Sequence, residues 1–261
     1  MSKDSKRVLI RGAGDLASGI AYELWLEGHK VLMTDIAVPL AVRRAVSFSR
    51  AVYEGEAQVE AAKGVLVHNL EEARCVTEKG DIPVIVDEKA VIRWEYQPDV
   101  LVDAVMAKRN TGTSMTDAPL VVGIGPGFTA GADCHCVIET KRGPDLGRII
   151  RDGSAAFNTG IPGEVGGYTA ERLLRAACDG RMEPLAGIGD HVEKGQIAAY
   201  TGGEPVYAEM SGIVRGMLMR DVMVTKGLKI GDIDAREIVS SCYQISDKAR
   251  CIGRSVCNAI T

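Results

Sequence analysis

Arg7-Val-Leu-Ile-Arg11 is followed directly by Gly12-Ala-Gly-Asp-Leu-Ala-Ser-Gly19, and an apolar helical pattern then leads to Val31-Leu-Met-Thr-Asp35. This order predicts a buried strand, a glycine-rich turn, a helix and a second strand that ends in an acid. Further strands and helices alternate down the chain, among them a helix around Leu70–Glu78 and a buried strand at Ile82–Val86. The sequence therefore predicts an α/β protein with a Rossmann-like, mostly parallel sheet.

The glycine-rich turn predicts a site for a nucleotide or another phosphate-bearing ligand. Gly12 would form the tight turn, and Gly14 would let the backbone approach a pyrophosphate. Ala17 takes the third small position, which allows close packing of helix and strand. Asp35 lies where a ribose hydroxyl would need an acceptor.

The first helical turn, which begins with Asp15 and Leu16, would present N–H groups to an anion. Asp15 is unusual in such a turn because it adds negative charge close to the expected phosphate, and Arg11 could offset that charge. A βαβ start of this kind can also belong to a nucleotide fold whose site is rebuilt for another ligand, so both interpretations stay open.

Two later loops, each after a predicted strand, also have the composition of ligand-binding segments. The first follows the strand at Val100–Val105, and the second follows Leu120–Val122. The carboxyl ends of parallel strands share one sheet edge, so we expect these loops to lie beside the glycine turn. The alternative is a polar loop and an irregular turn. The candidate residues in the two loops are Lys108, Arg109, Asn110, Thr111, Gly112, Thr113, Gly125 and Gly127.

Arg43 and Arg44 follow the second strand. There they could meet a phosphate or an acidic pterin side chain, or they could lie on a solvated helix face, and the sequence leaves both interpretations open. Arg43 is included among the predicted cofactor-binding residues.

The sequence predicts no metal site and no recognisable catalytic nucleophile. Cys134 and Cys136 would share one face of a strand, with His135 on the other, so these three residues cannot all bind one metal without distorting the strand. No catalytic arrangement can be recognised, and the catalytic residues stay unknown. A thiol carrier based on the two cysteines is one hypothesis. It would require a lowered thiol pKa and access to solvent, and the sequence shows neither.

The bulk properties restrict the class of protein. The chain has 261 residues, a net charge of −4 and seven cysteines. The charge favours neither nucleic acid nor a membrane surface, no apolar run has the length of a membrane span, and the first residues lack a signal-peptide pattern. We expect a cytoplasmic protein with reduced thiols. A homo-oligomer stays open.

The composition changes after residue 182, and three parts are predicted: a Rossmann-like ligand-binding domain over 1–182, a small β domain over 183–238 and a C-terminal helix within 239–261. A helix is also predicted at Thr169–Cys178. The β domain reads as a barrel-sandwich, or biotinyl/lipoyl-like, module. Val192-Glu-Lys-Gly195 is echoed by Val224-Thr-Lys-Gly227, which predicts two related halves closing one barrel.

The predicted hairpin tip of that module, Thr201-Gly-Gly-Glu-Pro205, contains no lysine. A swinging-arm carrier needs a modifiable lysine there, so the module is interpreted as a rigid docking or lid element. For the C-terminal helix, Asp247–Ile260 has apolar residues on one face, and Ser246 is the predicted cap. We expect this helix to pack on the main domain.

Several unusual loops occur together along nearly the whole chain. They are Arg11-Gly-Ala-Gly-Asp-Leu-Ala-Ser-Gly19, Arg43-Arg-Ala-Val-Ser-Phe48, Val102-Asp-Ala-Val-Met-Ala-Lys-Arg-Asn-Thr-Gly-Thr113, Gly123-Ile-Gly-Pro-Gly-Phe128, Val137-Ile-Glu-Thr-Lys-Arg-Gly143, Asn158-Thr-Gly-Ile-Pro-Gly163 and Gly189-Asp-His-Val-Glu-Lys-Gly-Gln-Ile197. In these loops the chain resembles the YqeB-type accessory proteins of the selenium-dependent molybdenum hydroxylase system, which are related to the XdhC and CoxI proteins. Pro144 departs from that pattern, in which a histidine is expected.

The resemblance implies a maturation factor rather than a metabolic enzyme. Such a protein would bind the molybdenum–pterin cofactor, or its dinucleotide form, and pass it to a molybdenum hydroxylase apoenzyme. The N-terminal turn and Asp35 would then hold a nucleotide or pterin phosphate, and the Lys108–Thr113 loop would complete the anion site. The alternative function is an NAD-dependent oxidoreductase, for which Asp35 would favour NAD over NADP.

Overall fold

The computed structural model describes residues 5–158 and 167–261 of the chain. The chain divides into two compact units. Unit 1 consists of the described residues of Met1–Pro39, Ser47–Asn158 and Ile245–Thr261, and unit 2 consists of those of Leu40–Val46 and Thr159–Gln244.

The strands of unit 1 follow the buried apolar runs of the sequence. They are β1 (Arg7–Arg11), β2 (Lys30–Asp35), β3 (Glu56–Val59), β4 (Ala62–Val67), β5 (Ile82–Val86), β6 (Val100–Asp103), β7 (Leu120–Ile124), β8 (Thr129–Ala130), β9 (Cys136–Ile138), β10 (Ile149–Ile150) and β11 (Gly153–Ser154). The helices of unit 1 are α1 (Asp15–Leu26), α2 (Ala51–Glu54), α3 (Leu70–Glu78), α4 (Arg93–Tyr96) and α5 (Asp247–Ile260).

Nine of these strands form one sheet, in the order β10-β9-β7-β6-β1-β2-β5-β4-β3. The strand, turn, helix and strand predicted for residues 7–35 are confirmed, and β1 lies parallel to both β2 and β6. The carboxyl ends of β1, β6 and β7 therefore lie side by side at one edge of unit 1.

The predicted fold class is wrong. The sheet is mixed, because β3 and β10 join its two edges in antiparallel orientation. The crossovers in its second half also lack full helices: β5 and β6 are joined through the four-residue α4, and β6 and β7 through a 3-10 helix at Met115–Asp117. A Rossmann-like layer of helices alternating with strands is therefore not the architecture of this unit.

Helix α5 packs closely against α1 through glycines on both helices. A Cβ atom added to Gly19 would lie 2.6 Å from Ala249 Cβ, and one added to Gly253 would lie 2.8 Å from the backbone oxygen of Gly19. The predicted C-terminal helix is confirmed over Asp247–Ile260, and the Ser246 side chain accepts a hydrogen bond from Ala249 N. Buried Glu23 of α1 pairs with Arg250 and strengthens this packing.

The strands of unit 2 are short. They are β12 (Leu173–Arg175), β13 (Gly180–Pro184), β14 (His191–Val192), β15 (Ile197–Thr201), β16 (Glu204–Tyr207), β17 (Gly212–Met217), β18 (Met223–Val224) and β19 (Lys229–Asp234). They form two separate four-stranded antiparallel sheets, in the orders β12-β19-β17-β14 and β16-β15-β13-β18. The predicted single barrel-sandwich, or biotinyl/lipoyl-like, domain is therefore corrected to a pair of antiparallel sheets.

The sequence echo in unit 2 has a local structural counterpart. Gly195 and Gly227 both have positive φ angles, of +86° and +81°, and each donates its N–H to an alanine carbonyl at 2.8 Å. The two lysine–glycine turns follow strands β14 and β18, which belong to different sheets. The predicted helix at Thr169–Cys178 is wrong, because Leu173–Arg175 instead pairs with β19 as a strand.

Candidate functional site

The glycine turn after β1 is held by backbone contacts that require a glycine at its first position. Gly12 has a φ of +99°, and its N–H donates to Thr34 O at 2.8 Å. A Cβ atom there would lie 3.0 Å from Ala104 O, in the segment after β6. The turn after β1 and the segment after β6 are therefore in direct contact.

Gly14 is different, because its own conformation does not demand glycine. Its φ of −67° is available to any residue. Among the residues that the structure describes, nothing lies within 4 Å of the position a Cβ atom would take. Gly14 is the residue before α1, and as a glycine it has no side chain that could cap the helix or cover the backbone at the positive end of the helix dipole.

Asp35 stabilises the turn from the end of β2. Its Oδ2 accepts the N–H of Ala13 at 3.2 Å and its Oδ1 accepts the N–H of Ile36 at 2.8 Å. Burial raises the pKa of this carboxyl, and the two backbone N–H groups oppose that increase. Asp35 thus lies at the predicted edge and contacts the glycine turn.

The first turn of α1 shows a graded burial. Asp15 and Leu16 are half-buried, whereas Ala17 is buried against the sheet. We predicted that Arg11 offsets the charge of Asp15. Its guanidinium instead contacts Asp103 and the loop after β6.

A buried network holds the Lys108–Thr113 loop at the same edge. Arg11 Nη1 donates to Asp103 Oδ2 and to Thr113 Oγ1, both at 3.2 Å. Thr113 Oγ1 in turn donates to Asp103 Oδ2 at 2.6 Å. A third contact joins Arg11 Nη2 to Thr111 O at 3.4 Å. Since Arg11, Asp103 and Thr113 are all buried, these bonds fix the base of the loop.

Within this loop Asn110 is a structural residue and its neighbours are accessible. Asn110 Oδ1 accepts the N–H groups of Gly112 and Thr113 at 2.9 and 2.8 Å. Lys108 and Arg109 are exposed, as are Thr111 and Gly112. The loop therefore presents two cations and a stretch of backbone to solvent at the sheet edge.

The loop after β7 packs on the loop after β6. Gly127 has a φ of +108°, and a Cβ atom on it would lie 2.5 Å from the backbone nitrogen of Arg109. Gly125 has a φ of +77°, and a Cβ atom there would lie 2.7 Å from Thr140 Oγ1. These two predicted residues therefore act in the structure by permitting close packing of neighbouring loops.

Lys248, in the first turn of α5, is a candidate that the sequence interpretation missed. It is half-buried, and burial lowers its pKa, with the positive charge of Arg142 acting in the same direction. The carboxylates of Asp15, Glu139 and Asp247 act on it in the opposite direction. A lysine at the start of a helix also faces the positive end of the dipole. Its unusual place could only be recognised once α5 was known to lie beside α1.

Two buried carboxylates at this edge, Glu139 and Asp103, are already engaged in hydrogen bonds. Glu139 is buried and accepts the N–H groups of Thr140, Lys141 and Ala156, each at 2.7 Å. Asp103 is bound by Arg11 and Thr113. The arrangement therefore offers cations and backbone for anion binding rather than a pair of carboxyl groups for acid–base chemistry.

Arg43 lies in unit 2, whereas the other predicted site residues lie in unit 1. Its Nη2 donates to Ser241 O at 3.1 Å and to Gln244 O at 3.0 Å. Arg44 Nε donates to Met217 O at 3.1 Å in the same unit. The interpretation of these arginines as a solvated helix face is wrong, because both make specific contacts with unit 2 carbonyls.

The cysteines considered for sulfur chemistry are inaccessible. Cys134 and Cys136 are both fully buried. Burial raises the pKa of Cys134 to about 11 and also raises the pKa of Cys136. A reactive thiolate needs the opposite conditions, and this finding opposes the thiol-carrier hypothesis.

Metal-binding groups and membrane-spanning helices were sought in the described parts of the chain. Over residues 5–158 and 167–261, no group of three or more His, Cys, Asp or Glu side chains is placed to hold a metal ion. Within the same ranges, no helix has both the length and the apolar character needed to cross a membrane. The loop quoted as Asn158–Gly163 lies outside the described residues apart from Asn158.

Comparison with solved structures gives only weak likenesses. An aspartoacylase family protein of Mesorhizobium loti aligns with a TM-score of 0.28 and 12% identity, covering 88% of this chain and 85% of that chain. A succinylglutamate desuccinylase/aspartoacylase of Rhodobacter sphaeroides aligns with a TM-score of 0.29 and 14% identity, with the same coverages. TM-scores this low do not establish a shared fold. No protein-family model matches the chain.

Comparison of sequences gives a closer relationship. The chain is similar to the uncharacterized protein YqeB of Escherichia coli K12, with 44% identity over 253 residues. The match covers 97% of this chain and 47% of YqeB, so the chain spans about half the length of this curated relative.

The keywords that the sequence resemblance predicted need correction. Molybdenum hydroxylase maturation, selenium dependence and an XdhC/CoxI-like relationship were predicted together with the terms Rossmann and barrel-sandwich. YqeB is named uncharacterized, and the weakly aligned solved structures are named as aspartoacylase and succinylglutamate desuccinylase proteins. None of these names supports the molybdenum or selenium terms, and the strand orders replace the fold terms.

Proposed function

We propose that this chain is an accessory protein that binds the phosphate-bearing end of a nucleotide or pterin cofactor at the sheet edge of unit 1. The observation that carries the proposal is the environment of Gly14. The fold requires glycine at Gly12 and Gly127, where a Cβ atom would collide with backbone, but not at Gly14. Close approach of a ligand to the backbone accounts for a glycine at this position.

Charge at the same edge supports an anionic ligand. The start of α1 contributes N–H groups and the positive end of a helix dipole. Exposed Lys108 and Arg109 lie on the loop that contacts Gly127, and half-buried Lys248 lies within electrostatic reach of Asp15. Backbone N–H groups combined with lysine and arginine are the groups that proteins use for phosphate.

A molybdenum–pterin cofactor fits this donor set through its phosphate. The N–H groups at Gly14 and Asp15, with Lys108 and Arg109, would hold that phosphate. The molybdenum would supply its chemistry to the enzyme that finally receives the cofactor. The contribution of this chain is to bind the ligand and to orient it.

The proposal that this chain passes its ligand to a partner rests on the carboxylates at the edge. Asp103 and Glu139 are occupied by hydrogen bonds within unit 1, so the described edge residues suit holding a ligand more than converting it. In the loops quoted from the sequence, the chain resembles accessory proteins of molybdenum hydroxylase maturation. We therefore propose its apoenzyme as the partner, and the cytoplasm as the compartment.

An NAD-dependent oxidoreductase is the second candidate function. It is favoured by the position of Asp35, which ends β2 and contacts the turn between β1 and α1. Each Asp35 oxygen accepts one backbone N–H and retains acceptor capacity for a ribose hydroxyl.

One binding panel separates the two candidates. The purified chain is titrated calorimetrically with isolated molybdenum cofactor, cytidine and guanosine nucleotides, NAD(H) and NADP(H). Saturable binding of the molybdenum cofactor or a cytidine nucleotide, followed by activation of an apo-hydroxylase by the loaded chain, is the result expected. Selective binding of NADH would favour the oxidoreductase. Binding of none of these ligands would contradict both.

A further inference from the structure

The segment of residues 105–109, directly after β6, has a strained backbone. Met106 and Lys108 have φ angles of +61° and +63°, which lie in the left-handed region. A Cβ atom makes this conformation unfavourable, and residues other than glycine, asparagine and aspartate rarely adopt it. Two such residues within three positions carry a cost in free energy that contacts of the segment must offset.

Packing on neighbouring loops holds the segment at both ends. At its start, a Cβ atom on Gly12 would lie 3.2 Å from the backbone nitrogen of Val105, so the segment lies against the glycine turn. The same nitrogen donates to Asp103 Oδ1 at 3.2 Å. At the other end, a Cβ atom on Gly127 would lie 2.5 Å from the backbone nitrogen of Arg109. These contacts impose the strained conformation on the residues between them.

Hydrogen bonds of the segment's own backbone donors do not offset the strain. No acceptor among the described residues bonds to the N–H groups of Met106, Ala107, Lys108 or Arg109. Met106 is half-buried, and the other three residues are exposed. Successive N–H groups in turn conformations form concave sites for anions. Four consecutive backbone donors are therefore available at the sheet edge where we propose that the phosphate binds.

We propose that residues 106–109 form a preorganised phosphate clamp, which binds the ligand through backbone N–H groups in addition to the side chains of Lys108 and Arg109. The inference rests on the proposed function, because it concerns the same ligand at the same edge. The fold already holds the segment in one conformation, so binding does not have to order it, and this strengthens the affinity. Lys108 is thus a positioning residue as well as a cation.

A matched pair of substitutions at Lys108 separates the backbone conformation from the charge. Lys108→Ala and Lys108→Gly both remove the cation, but alanine retains the strain whereas glycine relieves it. Lys108→Gly should therefore have the higher midpoint of urea unfolding. In calorimetric titration with isolated molybdenum cofactor, Lys108→Gly should bind about two- to fivefold more weakly than Lys108→Ala, because glycine makes the segment flexible. A purely structural role would change stability and affinity in the same direction.

Gln97 provides the matched control, because it is also left-handed but lies near the opposite, amino end of β6. Its φ is +49°, and it is exposed at the end of α4. Gln97→Gly should again have a higher urea midpoint than Gln97→Ala, but these two variants should bind the cofactor equally. Circular dichroism shows before each titration that the variant is folded.

The outcomes distinguish the clamp from the proposed function. If the wild-type chain does not bind the cofactor, the proposed function is contradicted and the clamp with it. If the wild-type chain binds, but Lys108→Gly has an affinity equal to or higher than that of Lys108→Ala, the clamp alone is contradicted. A higher urea midpoint for Lys108→Ala than for Lys108→Gly would show that the backbone at Lys108 is not strained, and it would overturn the clamp without reference to any ligand.

Discussion

Arg11 and Asp103 form a buried ion pair of 3.2 Å at the carboxyl ends of the adjacent strands β1 and β6. Thr113 bonds to the same Asp103 oxygen, so the pair also anchors the loop that carries Lys108 and Arg109. We predict that Asp103→Asn lowers the free energy of unfolding by about 3–5 kcal/mol, because it leaves the buried Arg11 charge without its partner. Urea unfolding followed by tryptophan fluorescence measures this in unit 1, which contains Trp25 and Trp94.

The control for that prediction is an exposed ion pair of similar length. Lys63 and Glu56, also in unit 1, lie 3.3 Å apart with side chains 38% and 67% exposed. Glu56→Gln should change the free energy of unfolding by less than about 1 kcal/mol. Equal effects of Asp103→Asn and Glu56→Gln would show that the buried network does not stabilise the loop.

The same substitution should cost more stability at Gly12 than at Gly14. Gly12→Val places a branched side chain at a φ of +99° and a Cβ atom 3.0 Å from Ala104 O, so we expect a loss of about 2 kcal/mol or more. Gly14→Val meets no described atom within 4 Å, and its cost should stay near the ~1 kcal/mol of a weaker helix cap. Thermal unfolding of the two variants makes the comparison. Similar losses of stability in the two variants would contradict the claim that the fold requires glycine at Gly12 but not at Gly14.

Lys248→Met should stabilise the free chain while weakening anion binding. The lysine charge is half-buried and faces the positive end of α5, an arrangement that costs about 0.3–1 kcal/mol. Lys89→Met, at an exposed lysine, is the control. A decrease in stability of Lys248→Met, with unchanged ligand affinity, would assign Lys248 a structural role instead.

The same lysine predicts a pH dependence. Its folded-state pKa lies below the ordinary value of 10.5, so between these two values the unfolded chain binds more protons than the folded chain. Stability therefore increases with pH over that interval through this group. Urea unfolding across neutral to alkaline pH should show a smaller increase in Lys248→Met than in the wild-type chain. Identical slopes would contradict the lowered pKa.

The contact between α1 and α5 predicts a compensating pair of substitutions. Gly19→Ala would bring its new Cβ atom to 2.6 Å from Ala249 Cβ, and overpacking of this kind costs about 1–3 kcal/mol. Adding Ala249→Gly to this variant should recover part of the loss, which a double-mutant cycle would measure as a coupling energy. Additive effects of the two substitutions would show that the helices separate to accommodate the methyl group.

Thiol accessibility provides a chemical test of the buried cysteines. Cys75 is exposed, whereas Cys134 and Cys136 are buried and have raised pKa values. In the native chain, a thiol reagent should therefore label Cys75 and reach Cys134 and Cys136 only after unfolding. Peptide mass spectrometry identifies the labelled sites, and Cys75→Ser is the control. Rapid native labelling of Cys134 or Cys136 would revive the thiol-carrier hypothesis.

Helices and strands that are determined by neighbouring residues could be predicted from the sequence. The strand Ile82–Val86 and the helix Leu70–Glu78 were predicted with their observed bounds. The helix has a cap in Asn69, which accepts the N–H of Glu72, and α5 has one in Ser246. Apolar periodicity and capping chemistry act over a few residues, so a sequence contains them in full.

Features that depend on distant parts of the chain were not predictable. Residues 173–175 form a strand instead of a helix because β19 supplies hydrogen-bond partners from far along the sequence. The antiparallel edge strands β3 and β10 changed the fold class for the same reason. Lys248 has ordinary sequence neighbours, and only its burial among other charges makes it unusual.

The central claim is that a phosphate-bearing ligand approaches the backbone at Gly14. Its most direct test is calorimetric titration of the wild-type chain and Gly14→Val with isolated molybdenum cofactor and cytidine nucleotides, after circular dichroism has shown that both chains are folded. We predict saturable binding to the wild-type chain and a loss of at least about tenfold in affinity for Gly14→Val, because the valine side chain would occupy the ligand's path. Equal affinity of the two folded chains would contradict the claim.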